Sequence, residues 1–202
     1  MNQILIIETS PRGSVSASRA ATQKLSVRLH EEFPEAKFVY RDLTKESIPH
    51  LDDSTLKAIA SKIPEEVQAN KESAHLSDQL TEELLASDLL VIASPMWNFG
   101  IPSLLKAWID LVVRPGKTFS YAESGVLGLA KNKKAVLVLS SGGVFSEGPW
   151  KQSDFVEPYL RQVLGFIGID DVQTIRAEGL NISQLAENAV PNAEKAIAKL
   201  AL

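Results

Sequence analysis

The sequence predicts an α/β protein of one domain, residues 1–202, in which helices cover both faces of a five-stranded parallel sheet. Three short, uninterrupted apolar runs, at 4–7, 89–93 and 135–139, are typical of strands buried on both faces. Helical patterns alternate with these runs, and alternating strands and helices form a parallel sheet. A length of 202 residues, 45% of them hydrophobic, suits a single domain with a sizeable core.

Two more polar runs complete the predicted sheet. Residues 37–40 and 172–175 are short and mix polar with apolar side chains, which suits strands at the sheet edges. With the buried runs first, third and fourth in chain order, we expect the strand order 2-1-3-4-5. That order is typical of a flavodoxin-like three-layer sandwich, which binds its ligand where the strand order reverses.

Five apolar stripes at helical spacing account for the predicted helices. Side chains that recur every three or four residues share one face of a helix, and that face packs on the sheet. The stripes consist of Ala21, Leu25, Leu29 and Phe33; of Leu76, Leu80, Leu84 and Leu85; of Leu104, Leu105, Trp108, Ile109 and Val112; of Phe155, Tyr159, Leu160, Val163, Leu164 and Ile167; and of Leu185, Ala189, Ala193, Ile197 and Leu200.

Two segments, 44–71 and 115–134, interrupt the alternation. The first is rich in Lys, Glu, Ser and Pro and has a short possible helix near Leu56, whereas the second is typical of a hairpin or a long loop. Long excursions in a compact domain are more often functional than idle.

Composition argues against several classes of function. The absence of cysteine excludes a disulfide framework and a thiolate nucleophile, and the three histidines lack the spacing of a zinc site. A net charge of −4 argues against a nucleic-acid-binding surface. The sequence has no run of about 20 apolar residues to span a membrane and no signal-peptide pattern, so we expect a cytoplasmic protein.

A serine-rich segment follows the first strand, where the next helix begins. Free N–H groups and the positive dipole end of a helix, together with hydroxyl donors, favour a bound phosphate. The alternative is that the serines only cap the helix. The segment contains Ser10, Ser14, Ser16 and Ser18 beside Arg12 and Arg19.

Aromatic and glycine-rich loops follow the third and fourth strands. Trp97 and Phe99 flank Asn98 in a loop that should face solvent, which favours a planar ligand over them. The alternative is that both rings turn inward as core. The paired Gly142 and Gly143 permit close backbone approach to a ring, or make a simple turn. A flat heterocycle with a phosphate tail would engage all three loops, and FMN fits that description.

Four segments carry a resemblance to a known family: SPRGSVSAS, SPMWNFGIPSLLKAWIDLVVRPGKTFSY, SSGGVFSEGP and LGFIGIDDV. Over nearly the whole chain they resemble the bacterial FMN-dependent NADH-azoreductases, also called NADH:quinone oxidoreductases. The resemblance implies FMN as cofactor, NADH as electron donor, and ping-pong reduction of quinones and aromatic azo compounds. It places the FMN contacts at Ser10, Ser16, Ala17, Ser18, Pro95, Met96, Trp97, Asn98, Phe99, Ser140, Ser141, Gly142 and Gly143.

Two positions depart from the pattern that this resemblance implies. Many family members have tyrosine where this chain has Trp97, which replaces a phenol with an indole N–H donor. Many have arginine where this chain has Ser141, which removes a charge beside the flavin. Both departures bear on redox potential and substrate preference rather than on the choice of cofactor.

The resemblance also implies a homodimer in which each subunit completes the other's active site. We expect dimer and pocket contacts in the segments 44–71 and 115–134. Phe119, Tyr121 and Phe145 are candidate aromatic walls of the substrate pocket, with ordinary hydrophobic packing as the alternative for each.

Two other functions remain open on the residues alone. One is an FMN electron carrier of the flavodoxin type without its own substrate, against which stand the modest net charge and the two long extra segments. The other is a flavin-free phosphate-binding or signalling domain on the same sheet. A response-regulator-like domain would need clustered acids after the first strand, where Glu8 stands alone.

Overall fold

The computed structural model of the protein describes residues 1–123 and 125–202. The strands are β1 Gln3–Glu8, β2 Lys37–Asp42, β3 Leu89–Pro95, β4 Phe119–Ala122, β5 Gly125–Gly128, β6 Lys134–Ser140 and β7 Asp171–Ala177. The helices are α1 Ala17–Glu32, α2 Asp53–Ala60, α3 Pro64–Ala69, α4 His75–Ala86, α5 Ser103–Val112, α6 Glu157–Ile167 and α7 Ala186–Ile197. None of the helices in this described part is both long and apolar enough to cross a membrane.

Five parallel strands form the main sheet in the spatial order β2-β1-β3-β6-β7. Counted within this sheet alone, that is the predicted order 2-1-3-4-5, so the predicted flavodoxin-like sheet is confirmed. All seven residues of the central strand β3 are buried, because helices cover it on both faces.

Alternate side chains along the strands feed two separate cores. Leu5, Leu90 and Leu137 pack on one face against α4, α5 and α6. Ile4 and Val91 pack on the other face against α1 and α7. The period-two alternation of a strand sends successive side chains to opposite layers, so a continuous apolar run supplies both cores.

Helix α6 begins two residues after the start of its predicted stripe. The Asp154 carboxylate accepts N–H bonds from Val156 at 2.9 Å and Glu157 at 3.1 Å, which caps the helix there. Phe155 therefore lies outside the helix and is 62% exposed. Its prediction as a core residue of the stripe was wrong, since the capping carboxylate decides where the helix begins.

The two excursions fold into elements of their own. Segment 44–71 contains the predicted helix near Leu56, which is α2, and also α3, which the sequence did not indicate. Segment 115–134 forms an antiparallel hairpin of β4 and β5. The base of the hairpin is fixed to α6, since the Ala130 N–H donates to the Ile167 carbonyl at 2.8 Å.

A contact between two glycines allows this hairpin to pack closely against the end of α6. Gly168 ends α6 in the left-handed conformation with φ +99°, and the main chain of Gly128 lies directly against it. A Cβ atom on Gly128 would overlap the main-chain nitrogen of Gly168. Backbone cannot yield as a flexible side chain can, so only glycine fits at this position.

Gly128→Ala is expected to lower the free energy of unfolding by about 3 kcal/mol, because the added methyl group forces the hairpin away from α6. Urea unfolding measures the change. The matched control is Gly165→Ala, an exposed helical position whose Cβ would meet Asp170 at an ordinary 3.5 Å. That control should leave stability unchanged or raise it by up to about 1 kcal/mol. Equal losses in both variants would contradict the packing explanation.

Candidate functional site

The carboxyl ends of β1, β3 and β6 surround a cavity of about 310 Å³, here called the first cavity. All three loops that the sequence singled out contribute to it, and this is the edge of the sheet where the strand order reverses. Its lining residues are Ser10, Arg12, Val15, Ser16, Ala17, Pro95, Met96, Trp97, Ser140, Ser141, Gly142, Leu180 and Asn181.

The first loop presents the N-terminus of α1 to this cavity. Ser16 caps the helix, because its Oγ accepts the N–H of Arg19 at 3.3 Å. The N–H groups of Ala17 and Ser18 have no acceptor among the described residues. One serine thus does the capping, and two free N–H groups remain at the positive end of a 16-residue helix, an arrangement that attracts an anion.

Ser18 and Arg19 do not line the first cavity. The Ser18 side chain is fully buried behind it, with its hydroxyl 3.1 Å from that of Ser16. Arg19 points beneath the loop, where Nε and Nη2 donate to the Ser10 carbonyl at 3.0 and 2.8 Å. The guanidinium of Arg19 therefore points away from the first cavity, because Asp42 binds it in two bonds of 3.0 and 2.7 Å.

Two carboxylates flank Arg19, and their pKa values are shifted in opposite directions. Burial raises the pKa of Glu8 above its ordinary value, an effect that Arg19, 3.5 Å away, opposes and that Asp42 reinforces. One Glu8 oxygen, Oε2, has no hydrogen-bond donor among the described residues. Although burial acts to raise it, bonds from Arg19 and Thr44 hold the pKa of Asp42 well below its usual range.

The second loop turns sharply between Trp97 and Gly100, whose N–H and carbonyl groups exchange two bonds of 2.9 Å. The two central residues, Asn98 and Phe99, have φ of +48° and +68°. Asparagine tolerates this left-handed conformation, but phenylalanine rarely adopts it. Strained backbone of this kind is concentrated at functional sites.

The aromatic rings of this loop face outward. Trp97 is 46% exposed and Phe99 is 43% exposed, so the alternative in which both rings turn inward as core was wrong. Trp97 lines the first cavity, whereas Asn98 does not. Asn98 instead borders a separate hollow beside Thr9 and Pro11.

The third loop is held by main-chain bonds to the segment after β7. Ser141 donates to the Ala177 carbonyl at 3.1 Å, and its own carbonyl accepts from Leu180 at 3.2 Å. Asn181 donates to the Gly142 carbonyl at 2.9 Å. The N–H groups of Gly142 and Gly143 have no acceptor among the described residues, so both remain free to bind a ligand.

Leu180 and Asn181 are site residues that the sequence did not indicate. They belong to the segment that follows β7, and they reach the first cavity only because main-chain bonds fold that segment back over the third loop. Asn181 packs so closely on Gly142 that a Cβ atom there would overlap its side-chain amide. The proximity of the two segments has no signature in composition or periodicity.

A second cavity, of about 720 Å³, adjoins the first through Gly142 and Asn181, which line both. Three aromatic rings dominate it: Phe99 stacks on Trp150 with centroids 6.3 Å apart, and Phe145 meets Phe99 edge to face at 6.3 Å. Trp150 was not singled out from the sequence. The lining residues are Phe99, Gly142, Gly143, Val144, Phe145, Glu147, Gly148, Pro149, Trp150, Asn181 and Ile182.

The hairpin aromatics lie apart from both cavities. Phe119 is only 6% exposed and packs on Phe166 with ring centroids 4.7 Å apart. In the described chain it is therefore a packing residue, which is the alternative that the sequence left open for it. Tyr121, by contrast, is 74% exposed at the hairpin surface.

Because of Glu8 and Asp42, the free energy of unfolding is expected to change with pH in opposite directions in two pH ranges. A raised folded pKa favours the protonated form, so the Glu8 contribution is present below pH 4.5 and is lost as the pH rises through the raised value. The Asp42 contribution is present above pH 3.8 and is lost as the pH falls through its lowered value.

Urea unfolding across both ranges checks this prediction. Glu8→Gln should remove the decline above pH 4.5, and Asp42→Asn should make the decline below pH 3.8 smaller, since other carboxylates with a lowered pKa, such as Asp78 and Asp88, also contribute to it. Because Asp42 itself raises the pKa of Glu8, Asp42→Asn should also make the decline above pH 4.5 smaller. A Glu8→Gln protein that keeps the wild-type slope above pH 4.5 would contradict the assignment.

Comparison with known proteins places the whole chain in a family. Residues 2–201 match the profile of a family described as having a flavodoxin-like fold. The chain is 62% identical over 202 residues, all of both chains, to the FMN-dependent NADH:quinone oxidoreductase of Beijerinckia indica, and 42% identical over the same full lengths to that of Azotobacter vinelandii.

A solved structure agrees with these relatives. The crystal structure of an azoreductase from Bacillus anthracis superimposes with a TM-score of 0.87 at 29% identity, covering 98% of each chain. Sequence likeness over the whole length and likeness of the backbone therefore point the same way. This chain belongs to the family of FMN-dependent NADH:quinone oxidoreductases, built on the flavodoxin-like fold.

Proposed function

We propose that this protein binds FMN and catalyses two-electron reduction of quinones by NADH, and reductive cleavage of aromatic azo compounds, by a ping-pong mechanism in the cytoplasm. The observation that carries the proposal is the pairing of an anion site at the start of α1 with an adjoining aromatic cavity. When bound, FMN supplies the hydride relay, since it accepts hydride from NADH and passes it to the second substrate.

The first loop fits the phosphate of FMN. The free N–H groups of Ala17 and Ser18 would donate to its oxygens, and the Ser10 and Ser16 hydroxyls can add further bonds. Arg12 lines the same cavity and supplies a positive charge. Ser18 contributes through its main chain, because its side chain is buried behind Ser16.

The second and third loops fit the ring system. Trp97 and Met96 provide an apolar surface beside the cavity, with the Trp97 indole as an additional N–H donor. The free N–H groups of Gly142 and Gly143 can donate to the carbonyl edge of the ring. Donors fixed in this way stabilise negative charge that develops during reduction.

The second cavity is suited to the planar substrate. Its aromatic rings, Phe99, Phe145 and Trp150, offer stacking surface and exclude water from a bound quinone or azo compound. An electron carrier of the flavodoxin type would have no need of such a cavity next to its cofactor. Its presence favours the enzyme over the carrier.

The exposed apolar side chains of the two excursions support a homodimer as part of the same proposal. Tyr121, Val126 and Leu127 are exposed on the hairpin, as are Leu56 and Ile63 on or beside α2. Exposed apolar clusters of this kind mark interaction surfaces. Sedimentation velocity tests it: the wild type should sediment as a dimer, and Leu127→Lys should shift it to monomer. A monomeric wild type would contradict it.

The visible spectrum of the purified protein, recorded anaerobically before and after addition of NADH, tests the central proposal. Flavin bands that bleach with NADH and return with a quinone are expected. Bands that persist in the presence of NADH would instead indicate a carrier that another protein reduces. A protein that takes up no flavin when FMN is supplied would overturn both functions.

Arg12→Gln is expected to raise the FMN dissociation constant about fivefold, because an exposed charge pair contributes on the order of 1 kcal/mol. Affinity for riboflavin, which lacks the phosphate, should not change. Quenching of flavin fluorescence measures both constants. Lys45→Gln is the matched control, since Lys45 borders a different hollow next to the same loop. Equal weakening of FMN and riboflavin would contradict a role at the phosphate.

A further inference from the structure

One carboxylate holds the aromatic wall of the second cavity in place. The Glu178 Oε1 atom accepts the main-chain N–H of Phe145 at 2.8 Å and that of Ser146 at 3.0 Å. The Ser146 hydroxyl donates to Oε2 at 2.5 Å. Glu178 thus binds two successive peptide groups and a side chain of the loop 144–150, here called the wall loop.

The Glu178 carboxylate is itself fixed from behind. Arg176 Nη1 donates to Oε1 at 2.9 Å, and the Glu178 side chain is only 12% exposed. Arg176 is in turn paired with Asp154 at 2.5 Å and with Glu157. Arg176 therefore fixes the orientation of the carboxylate whose oxygens accept the bonds from the wall loop.

In the described part of the chain, no side chain other than that of Glu178 forms a hydrogen bond to the wall loop from outside it. Among the described residues, every hydrogen bond from residues 144–149 to a segment beyond position 154 goes to Glu178. The adjoining residues 141–143 are held separately, by four main-chain bonds to residues 177–181. The segment 177–181 thus holds both loops, the proposed cofactor loop through its main chain and the wall loop through the Glu178 side chain.

We infer that Glu178 is a positioning residue that sets the affinity of the second cavity for planar aromatic substrates. It does so by holding Phe145 and Trp150 in place through its bonds to the wall loop, which are here called the latch. The inference rests on the proposed function, since it assigns that cavity to the substrate. Phe145 is held directly, because Glu178 accepts its main-chain N–H and its ring packs beside Gly143. Trp150 is held indirectly, because it belongs to the same loop and its ring packs beside that of Phe145 with centroids 6.4 Å apart.

Steady-state kinetics of the FMN-loaded protein with 1,4-naphthoquinone test the latch. Glu178→Ala should raise KM for the quinone about tenfold, as loss of bonds to a charged acceptor loosens the wall. The FMN dissociation constant should not change, because residues 141–143 keep their own bonds. Glu178→Gln should stay close to the wild-type KM, since an amide oxygen can still accept the two N–H groups.

Glu157→Gln is the matched control. It removes a carboxylate from the same arginine, Arg176, yet makes no contact with the wall loop. Its KM should equal that of the wild type. A rise in KM as large as that of Glu178→Ala would overturn the latch in favour of a general effect of the ion-pair network, and so would a Glu178→Gln protein that behaves like the alanine variant.

Amide hydrogen exchange separates failure of the latch from failure of the proposed function. The amides of Phe145 and Ser146 should exchange faster in Glu178→Ala than in the wild type, whether or not flavin is bound. Faster exchange with an unchanged KM would overturn the substrate role while leaving the proposed function standing. A wild type that binds no FMN or reduces no quinone would overturn the proposed function, and unchanged exchange would overturn the latch itself.

Discussion

Parallel pairing of β1 with β2 on one side and with β3 on the other determines where the rest of the molecule can lie. The connections from β1 and from β3 leave the sheet in opposite directions, so no chain crosses the gap between their carboxyl ends. The start of α1, the Trp97 turn and the loop after β6 all open onto that gap. The sheet therefore brings together groups that are far apart in the sequence.

The turn at Asn98 and Phe99 shows how local strain is supported by tertiary contacts. A left-handed phenylalanine is unfavourable by itself, and here its carbonyl accepts the N–H of Phe155 at 3.2 Å while its ring stacks on Trp150. On the two sides of this turn, Trp97 lines the first cavity and Phe99 lines the second. The Phe99–Trp150 stack thus both supports the strained residue and forms part of the second cavity.

The sheet and its three loops could be predicted because doubly buried strands are continuous apolar runs, and because their carboxyl ends share one edge. Features that depend on contacts between residues far apart in the sequence could not be predicted. Asp42 binds Arg19 across 23 residues of chain and turns it away from the cavity, which no local pattern indicates. Asn181 arrives through main-chain bonds, and these are independent of side-chain identity. The apolar stripe predicted Phe155 to lie within α6, but the cap at Asp154 makes the helix begin after it.

Separate anchoring of residues 141–143 and of the wall loop has a consequence for how such a protein can evolve. Main-chain bonds to residues 177–181, which hold the half of the site next to Gly142, do not depend on side-chain identity, although Gly142 itself has no room for a Cβ atom beside Asn181. The wall loop depends on one acidic side chain, and substitutions within it leave the other half intact. A single replacement in the wall loop can therefore alter the second cavity while the main-chain bonds of residues 141–143 stay in place.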